Sequence, residues 1–168
     1  MVSFSLLNKG EKDVLLPRLF DLLYENMKDI APSSVTYDVE KAMFLANVSP
    51  ALNKAPRQIL LALEGVAPVG YIQYYTRKEL LMIEEVQIRK DHQGTLLFLC
   101  LCRQLLKLLP NEIRVVEAYA DPRNLRSICL MKKLGMRDLQ ESGDYAHLRG
   151  DGKLIRKKLM PRENPGNL

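Results

Sequence analysis

Two short stretches of this 168-residue chain contain the residues whose types and spacing could do chemistry. The first, 83–94, reads Ile-Glu-Glu-Val-Gln-Ile-Arg-Lys-Asp-His-Gln-Gly and predicts a buried strand, a short basic turn and the start of a helix. The first turn of a helix offers unpaired N–H groups and the positive end of the helix dipole, so it favours a phosphate group. The second, 124–136, reads Asn-Leu-Arg-Ser-Ile-Cys-Leu-Met-Lys-Lys-Leu-Gly-Met and predicts a helix capped by Asn124.

Glu84 and Glu85 are consecutive carboxylates inside an otherwise apolar strand. Consecutive residues of a strand point to opposite faces of the sheet, so we expect the two side chains on different faces. A charged group there is costly unless it is paired or has a function. The alternatives for Glu84 are a general base, whose pKa burial would raise, and a structural ion pair with a lysine or arginine. For Glu85 the ion pair is the preferred interpretation.

The three cysteines and two histidines do not form a metal-ligand pattern. Cys100, Cys102 and Cys129 lie in apolar helical patterns and are interpreted as buried, reduced thiols. Because Cys100 and Cys102 are two residues apart, they do not face each other on a helix and cannot form a ligand pair. His92 is interpreted as a solvated residue of the basic turn, and His147 has no partner motif. We therefore expect no metal site.

The composition is that of a soluble globular protein, with 47% hydrophobic and 27% charged residues. We expect a single domain over 1–160 and a disordered tail over 161–168. No apolar run reaches the roughly 18 residues that cross a bilayer. The first residues also lack the pattern of a secretory signal, so we expect a cytoplasmic protein without a membrane partner. The net charge is +5, but few aromatic residues lie near the basic ones in the sequence, which argues against a nucleic-acid partner.

Hydrophobic periodicity predicts the elements that position these residues. Strands are expected at 2–8, 57–64, 69–77, 80–89, 113–120, about 137–148 and 154–159. Helices are expected at 11–30, about 38–48, 95–109 and 124–134, the second of them ending before a proline. The strand at 80–89 is apolar on both faces, as expected of a central strand covered by helices on each side. The order β-α-α-β-β-β-α-β-α-β-β predicts an α/β (α+β) fold with a mixed sheet flanked by helices.

In this order, the two stretches resemble the acyl-CoA-binding signature of the GNAT N-acetyltransferase superfamily. The predicted element order is also that of the GNAT fold, so the resemblance covers nearly the whole chain and implies a mostly antiparallel central sheet. It implies transfer of an acetyl group from acetyl-CoA, as co-substrate, to a primary amine of a small molecule or peptide by direct attack. A homodimer is compatible with it. The alternative is a GNAT-fold CoA-binding or regulatory module with weak or no catalysis.

The resemblance also assigns roles to individual residues. In the family, the strand that 80–88 matches separates from its neighbour, and its backbone binds the pantetheine arm. The loop that follows resembles the pyrophosphate-binding pattern, although a plain connection between strand and helix would look similar. The residues implied to bind the co-substrate are Val86, Gln87, Ile88, Gln93, Gly94, Thr95, Leu96 and Asn124. Asn124 is equally compatible with a purely capping role, and Glu84 matches the acidic position that some members use as a general base.

Three residues depart from the family pattern. Leu96 and Phe98 stand where the loop usually has small residues, and we expect them to narrow the phosphate cradle. Met131 stands where the family often has a tyrosine that protonates the departing CoA thiolate, and a methionine cannot donate that proton. Tyr119, Tyr145 or a water could take its place, and the sequence selects none of them.

Overall fold

The computed structural model describes residues 1–54, 56–139 and 143–160. Within them, seven strands form one sheet in the order β1-β2-β3-β4-β5-β7-β6. The strands are β1 (Val2–Leu6), β2 (Gln58–Glu64), β3 (Ala67–Arg77), β4 (Leu80–Ile88), β5 (Val115–Ala120), β6 (Arg137–Asp138) and β7 (Ala146–Asp151). The β4–β5 pair is parallel and the other five pairs are antiparallel. The predicted mixed, mostly antiparallel sheet is therefore confirmed.

Five helices flank the sheet in the described residues. They are α1 (Lys12–Met27), α2 (Tyr37–Ala51), α3 (Leu97–Leu108), α4 (Leu125–Leu134) and α5 (Gly152–Leu159). The buried leucines of α1 pack with Ile59, Leu61 and Tyr71 of the sheet, whereas α3, α4 and α5 contribute to a second, larger core that includes Leu60 and Ile72. The sheet thus separates two cores, one on each face. None of the described helices is long and apolar enough to cross a bilayer.

The segment 154–159, expected as a strand, forms helix α5 instead. The Asp151 side chain accepts hydrogen bonds from the N–H groups of Lys153 and Leu154, so it caps the helix. Ile155 and Leu159 are buried and lie four residues apart, which is the spacing of one helical face. The single strand expected at about 137–148 corresponds to two strands, β6 and β7, and the element expected as the last strand is α5. The expected tail at 161–168 lies outside the described residues.

Two smaller expectations are corrected. Helix α2 continues to Ala51 and includes Pro50 in its last turn, where the missing N–H of proline removes a single helical hydrogen bond.

Of the three free cysteines, Cys102 is buried and Cys100 partly buried, but Cys129 is exposed. Burial raises the pKa of the Cys102 thiol to about 12. Cys129 lies on the outer face of α4, so its apolar neighbours in the sequence do not cover it.

Candidate active site

Strands β4 and β5 separate in the middle of the sheet. Their parallel pairing runs from Leu80 and Val115 to Ile83 and Ala118 and then stops. Residues 85–88 continue to pair with β3, and on their other side they face no strand in the described part of the chain. Two cavities of about 680 and 780 Å³ meet at this free edge. The separation that the resemblance implied is therefore present, and it opens a cleft through the centre of the sheet.

The two cavities differ in charge, and we name them accordingly. The acidic cavity, of about 680 Å³, is lined by the carboxylates of Glu40, Glu84, Glu85 and Asp121. The basic cavity, of about 780 Å³, is lined by Lys90, Arg103, Arg126, Lys133 and Lys158, with one carboxylate, that of Asp29. Both share the wall residues Met27, Val86, Gln87, Asn124, Ser127 and Met131.

A β-bulge places Glu84 and Glu85 on the same face of the sheet. The β3–β4 ladder pairs Tyr74 with Ile83 and Gln73 with Glu85, so Glu84 is the extra residue between two regular registers. The Gln73 Nε2 donates a hydrogen bond to Glu84 at 3.1 Å, although its register partner is Glu85. Both carboxylates line the acidic cavity. The expectation of opposite faces is wrong, because side chains alternate only where the ladder has no bulge.

Glu84 forms an ion pair with Arg57, which precedes β2. The Arg57 Nε donates to Glu84 Oε2 at 2.5 Å, and its Nη2 donates to Oε1. The guanidinium carbon also lies 5.4 Å from the centre of the Tyr75 ring, close enough for a cation–π contact. The hydrogen bond to Glu84 raises the pKa of Arg57. Of the two alternatives for Glu84, the geometry favours the structural ion pair, since both carboxylate oxygens are already engaged.

Glu85 has the opposite environment. The Gln87 Nε2 donates to its Oε1 at 2.6 Å. No lysine, arginine or histidine of the described residues lies within ion-pairing distance of it, in contrast to the expectation. Burial raises the pKa of Glu85 to about 7, and the hydrogen bond from Gln87 acts in the opposite direction. A carboxyl group that titrates near neutrality can accept a proton at physiological pH.

Aromatic side chains and a further carboxylate complete the acidic cavity. Tyr24, Tyr119 and Tyr145 line it, and the Tyr119 ring stacks on His147 with the ring centres 4.4 Å apart. Glu40, in the first turns of α2, has a buried Oε2 that finds no hydrogen-bond partner among the described residues. Buried polar atoms of folded proteins almost always have a partner. This oxygen therefore has an unused capacity to accept a hydrogen bond.

The turn before α3 forms one end of the basic cavity. Gly94 adopts φ +85°, and a Cβ added there would have only the Arg126 Nη2, at 3.9 Å, within 4 Å among the described atoms. The Thr95 hydroxyl donates to the His92 carbonyl at 2.6 Å and accepts from the Leu97 N–H at 3.2 Å, so it satisfies one N–H group of the first turn, although the N-cap residue is Leu96. The open backbone at Gly94 and the start of α3 together leave room for an anion to approach N–H groups.

Three residues surround Gln93 and fix this turn on the sheet. The Gln93 Nε2 donates to the Ile88 carbonyl at 2.9 Å and to Asn26 Oδ1 at 3.1 Å, and Arg126 Nη1 donates to Gln93 Oε1 at 2.7 Å. The Asn26 Nδ2 in turn donates to Gln87 Oε1 at 2.8 Å and to the Ile88 carbonyl at 2.9 Å. A single amide of α1 thus connects that helix to β4 and to the turn.

The structure brings most of the predicted co-substrate residues together. Val86, Gln87, Ile88, Gln93, Gly94, Thr95 and Asn124 line the basic cavity. Leu96 is not among them: its side chain is 68% exposed and points to solvent, so it does not narrow the cradle. Phe98 lies in the core and forms part of the cavity wall.

Asn124 and Met131, at the two ends of α4, have structural roles that explain their identity. The Asn124 Oδ1 accepts from the Ser127 N–H at 3.2 Å, so the predicted N-cap is confirmed. Met131 is 6% exposed and packs in the larger core. Both also line the two cavities, so their side chains lie at the junction of the cleft.

Sequence reasoning missed Asn26, Glu40, Tyr24 and Arg126 as residues of the cleft. Only Asn26 gave a signal in the sequence, because it follows Leu19 and Leu22 at helical spacing and is a polar residue on the face of α1 that packs on the sheet. Tyr24 and Glu40 come from segments far from the two informative stretches, whereas Arg126 lies within the second stretch and no motif there singles it out.

Comparison with known proteins identifies the architecture. No protein-family model matches the chain, and no curated protein matches it in sequence. Among solved structures, the chain is similar to the PaiA N-acetyltransferase of Thermoplasma acidophilum in complex with coenzyme A, with a TM-score of 0.71 and 12% identity over 90% of this chain and 99% of that one. A GNAT-family acetyltransferase from Staphylococcus aureus gives a TM-score of 0.67 and 13% identity over 90% and 99% of the two chains.

A third similar structure is YncA of Salmonella typhimurium with its cofactor acetyl-CoA. Its TM-score is 0.58 at 16% identity, over 90% of this chain and 94% of that one. Sequence identities this low establish the fold and no more. The fold that the two sequence stretches predicted is thereby confirmed.

Proposed function

Because this chain has the fold of the GNAT acetyltransferases, we propose that it is an N-acetyltransferase that moves an acetyl group from acetyl-CoA to a primary amine. The observation that carries the proposal is the cleft between β4 and β5. On one side of the cleft lies the carboxyl group of Glu85, with a pKa of about 7. On the other side lies the N-terminus of α3, with basic residues nearby. Acetyl-CoA would supply the activated acetyl group, and the chain would supply position and a proton acceptor.

The residues of the basic cavity fit the phosphorylated part of acetyl-CoA. The backbone at Gly94 is open, α3 begins three residues later, and Arg126 lies beside the turn. Lys90, Lys133 and Lys158 add positive charge to the same cavity. Cations and free N–H groups together favour a phosphate group over a neutral ligand. The free edge of β4 at Val86 and Ile88 supports binding of an extended amide-containing arm, as a further strand would bind.

We assign the general base to Glu85 rather than to Glu84. An amine is protonated in water at neutral pH and must lose its proton before its nitrogen can attack a carbonyl carbon. Glu85 can take that proton, directly or through a water, since its pKa lies near 7 and no cation of the described residues occupies it. Glu84 has both oxygens engaged by Arg57, so its role is to hold β2 against the bulge.

The departing thiolate needs no strong acid from the protein. Free thiols titrate at about 8.5, so a thiolate is already a good leaving group near neutral pH. Met131 fills the position where the family often has a tyrosine, and it contributes packing. The absence of a tyrosine at position 131 supports a second candidate function, a CoA-binding module with weak or no catalysis.

Two measurements test the proposal and separate the candidates. Acetyl-CoA at millimolar concentration should raise the melting temperature, because a ligand that binds only the native state stabilises it by mass action. A panel of primary amines should then release free thiol from acetyl-CoA in the presence of the protein. Stabilisation without thiol release from any amine would favour the binding module. A folded protein whose melting temperature acetyl-CoA does not change would contradict both candidates.

A further inference from the structure

We propose that the acceptor of this enzyme carries a second positive charge, as an α,ω-diamine does, and that Glu40 binds this second ammonium group. The inference rests on the proposed N-acetyltransferase activity and names the substrate class. The evidence is the balance of charges in the acidic cavity, the aromatic residues in its wall and the position of Glu40.

Most charges of the acidic cavity are already paired within the protein. Glu84 is held by Arg57, and Asp121 is held by Arg123 through contacts of 2.7–2.9 Å. The Lys28 ammonium in the wall is bound by Glu25 at 2.8 Å. Among the described residues, two carboxylates of the cavity have no ion-pair partner, those of Glu40 and Glu85. One amine nitrogen at Glu85 would therefore leave one carboxylate still unpaired.

Glu40 has a buried oxygen with no donor. Its Oε2 is covered from solvent and accepts no hydrogen bond from the described residues. A buried carboxylate oxygen without a partner is costly, and a ligand ammonium would relieve that cost with its N–H groups. A carboxylate would repel an acceptor with a negative end group. Glu40 and Glu85 come from α2 and β4 and both line the acidic cavity, so an acceptor bound there meets one carboxylate from each element.

Aromatic residues of the same cavity suit a cation with an alkyl chain. Tyr24, Tyr119 and Tyr145 line the wall, together with the apolar side chains of Leu23 and Met27. Aromatic rings attract ammonium groups through their negative faces, and they also pack against methylene groups. A volume of about 680 Å³ exceeds what a lone short monoamine would fill, and it lies in the range of pockets for small ligands.

The test compares three acceptors of equal chain length at saturating acetyl-CoA: an α,ω-diaminoalkane, the n-alkylamine and the ω-amino carboxylate. We expect kcat/KM for the diamine to exceed that for the monoamine by about tenfold or more, as a charged hydrogen bond would give, with the amino carboxylate slowest. Glu40→Gln should reduce the ratio of diamine to monoamine to near one, whereas Glu40→Asp should restore part of it. Glu79→Gln, the same charge change at a residue outside the cavity, should leave the ratio as in the wild type.

A second readout does not depend on turnover. The diamine should raise the melting temperature of the wild-type protein in the presence of CoA, and it should do so less for Glu40→Gln, whose own folding is checked by its melting curve. Equal kcat/KM for diamine and monoamine, or a ratio that Glu40→Gln leaves unchanged, would overturn the inference while the acetyltransferase function stands. No thiol release and no stabilisation by acetyl-CoA would overturn the function itself. No stabilisation by the diamine, with acetyl-CoA still bound, would overturn the inference alone.

Discussion

The acidic and basic cavities lie along the same free edge of β4, yet they are built in different ways. The basic cavity has at its end a turn whose polar side chains already have partners within the protein. The Thr95 hydroxyl accepts from the Leu97 N–H, and Gln93 binds the Ile88 carbonyl, Asn26 and Arg126. The acidic cavity instead collects groups from α1, α2, β4 and β5, and it retains two carboxylates without a partner cation among the described residues. The polar side chains of the turn in the basic cavity therefore have partners before a ligand binds, whereas two carboxylates of the acidic cavity would gain theirs from the ligand.

The largest effect should come from Glu85, the unpaired carboxylate of the acidic cavity. Glu85→Gln should lower turnover by about 10²–10⁴-fold, the usual contribution of a positioned base, while acetyl-CoA affinity changes little. Steady-state kinetics over a pH series would measure it, and wild-type turnover should rise with pH to a plateau above about 7. Glu84→Gln is the matched control. It should lower the melting temperature, and it should reduce turnover much less than Glu85→Gln does. Comparable losses of turnover in both variants would remove the distinction between the two glutamates.

The basic cavity can be tested with two glycines that both have a positive φ. Gly94 and Gly65 have φ values of +85° and +60°, and neither has crowded surroundings. Substitution by alanine should therefore strain both turns to a similar degree, at a cost of about 1 kcal/mol. Only Gly94→Ala should weaken acetyl-CoA binding, on the order of tenfold if one charged hydrogen bond to phosphate is lost. Calorimetric titration of both variants measures this, and equal affinities would place the phosphates elsewhere.

Met131 lies at the junction of the two cavities. Its substitution tests whether this position serves packing or lacks a proton donor. Met131→Tyr should overpack the core and cost about 1–3 kcal/mol of unfolding free energy, because Met131 is 6% exposed. Turnover should fall together with stability. Chemical denaturation and kinetics on the same variant decide the matter. A stable variant with higher turnover would instead indicate that a missing proton donor limits the wild-type enzyme.

The last prediction concerns how the stability contributed by Glu85 depends on pH. Its pKa is raised by burial from 4.5 to about 7, so the folded protein binds the proton more tightly than the unfolded chain does. The stability that this group contributes is present below pH 4.5 and is lost as the pH rises through about 7. The advantage of Glu85→Gln over the wild type in unfolding free energy should therefore grow across that interval and then level off. A constant difference between about pH 5 and pH 8 would mean that Glu85 titrates as it does in solution.

The difference between the cavities also explains what the sequence could predict. Several predicted co-substrate residues follow one another along β4 and the turn, so the structure places them along the basic cavity as a local pattern would, whereas Asn26 and Arg126 reach that cavity from α1 and α4. Glu84 and Glu85 were assigned to opposite faces because a bulge depends on the pairing with β3, which the β4 sequence does not contain. Glu40 and Tyr24 reach the cleft only through tertiary packing.

The same limit applies to the fold. Strands β2 to β4 and helices α3 and α4 were expected close to their observed bounds, because their apolar patterns are long or have clear caps. The segment 154–159 was too short for its period to be decisive, and the helix there depends on Asp151 at its start and on the burial of Ile155 and Leu159. Whether a short terminal segment forms a strand or a helix depends on the surface on which it packs.

The amide of Asn26 has a consequence for the order of folding. It joins α1 to Gln87, Ile88 and Gln93, which are 61, 62 and 67 residues away in the chain. Contacts between residues so far apart form late, because closing the long loop costs entropy before the contact repays it. The turn at Gly94 can form locally, but it acquires its place on the sheet only when the N-terminal helix has docked. Only the fully folded protein would then bind the ligand, and a collapsed intermediate formed early in folding would not bind it.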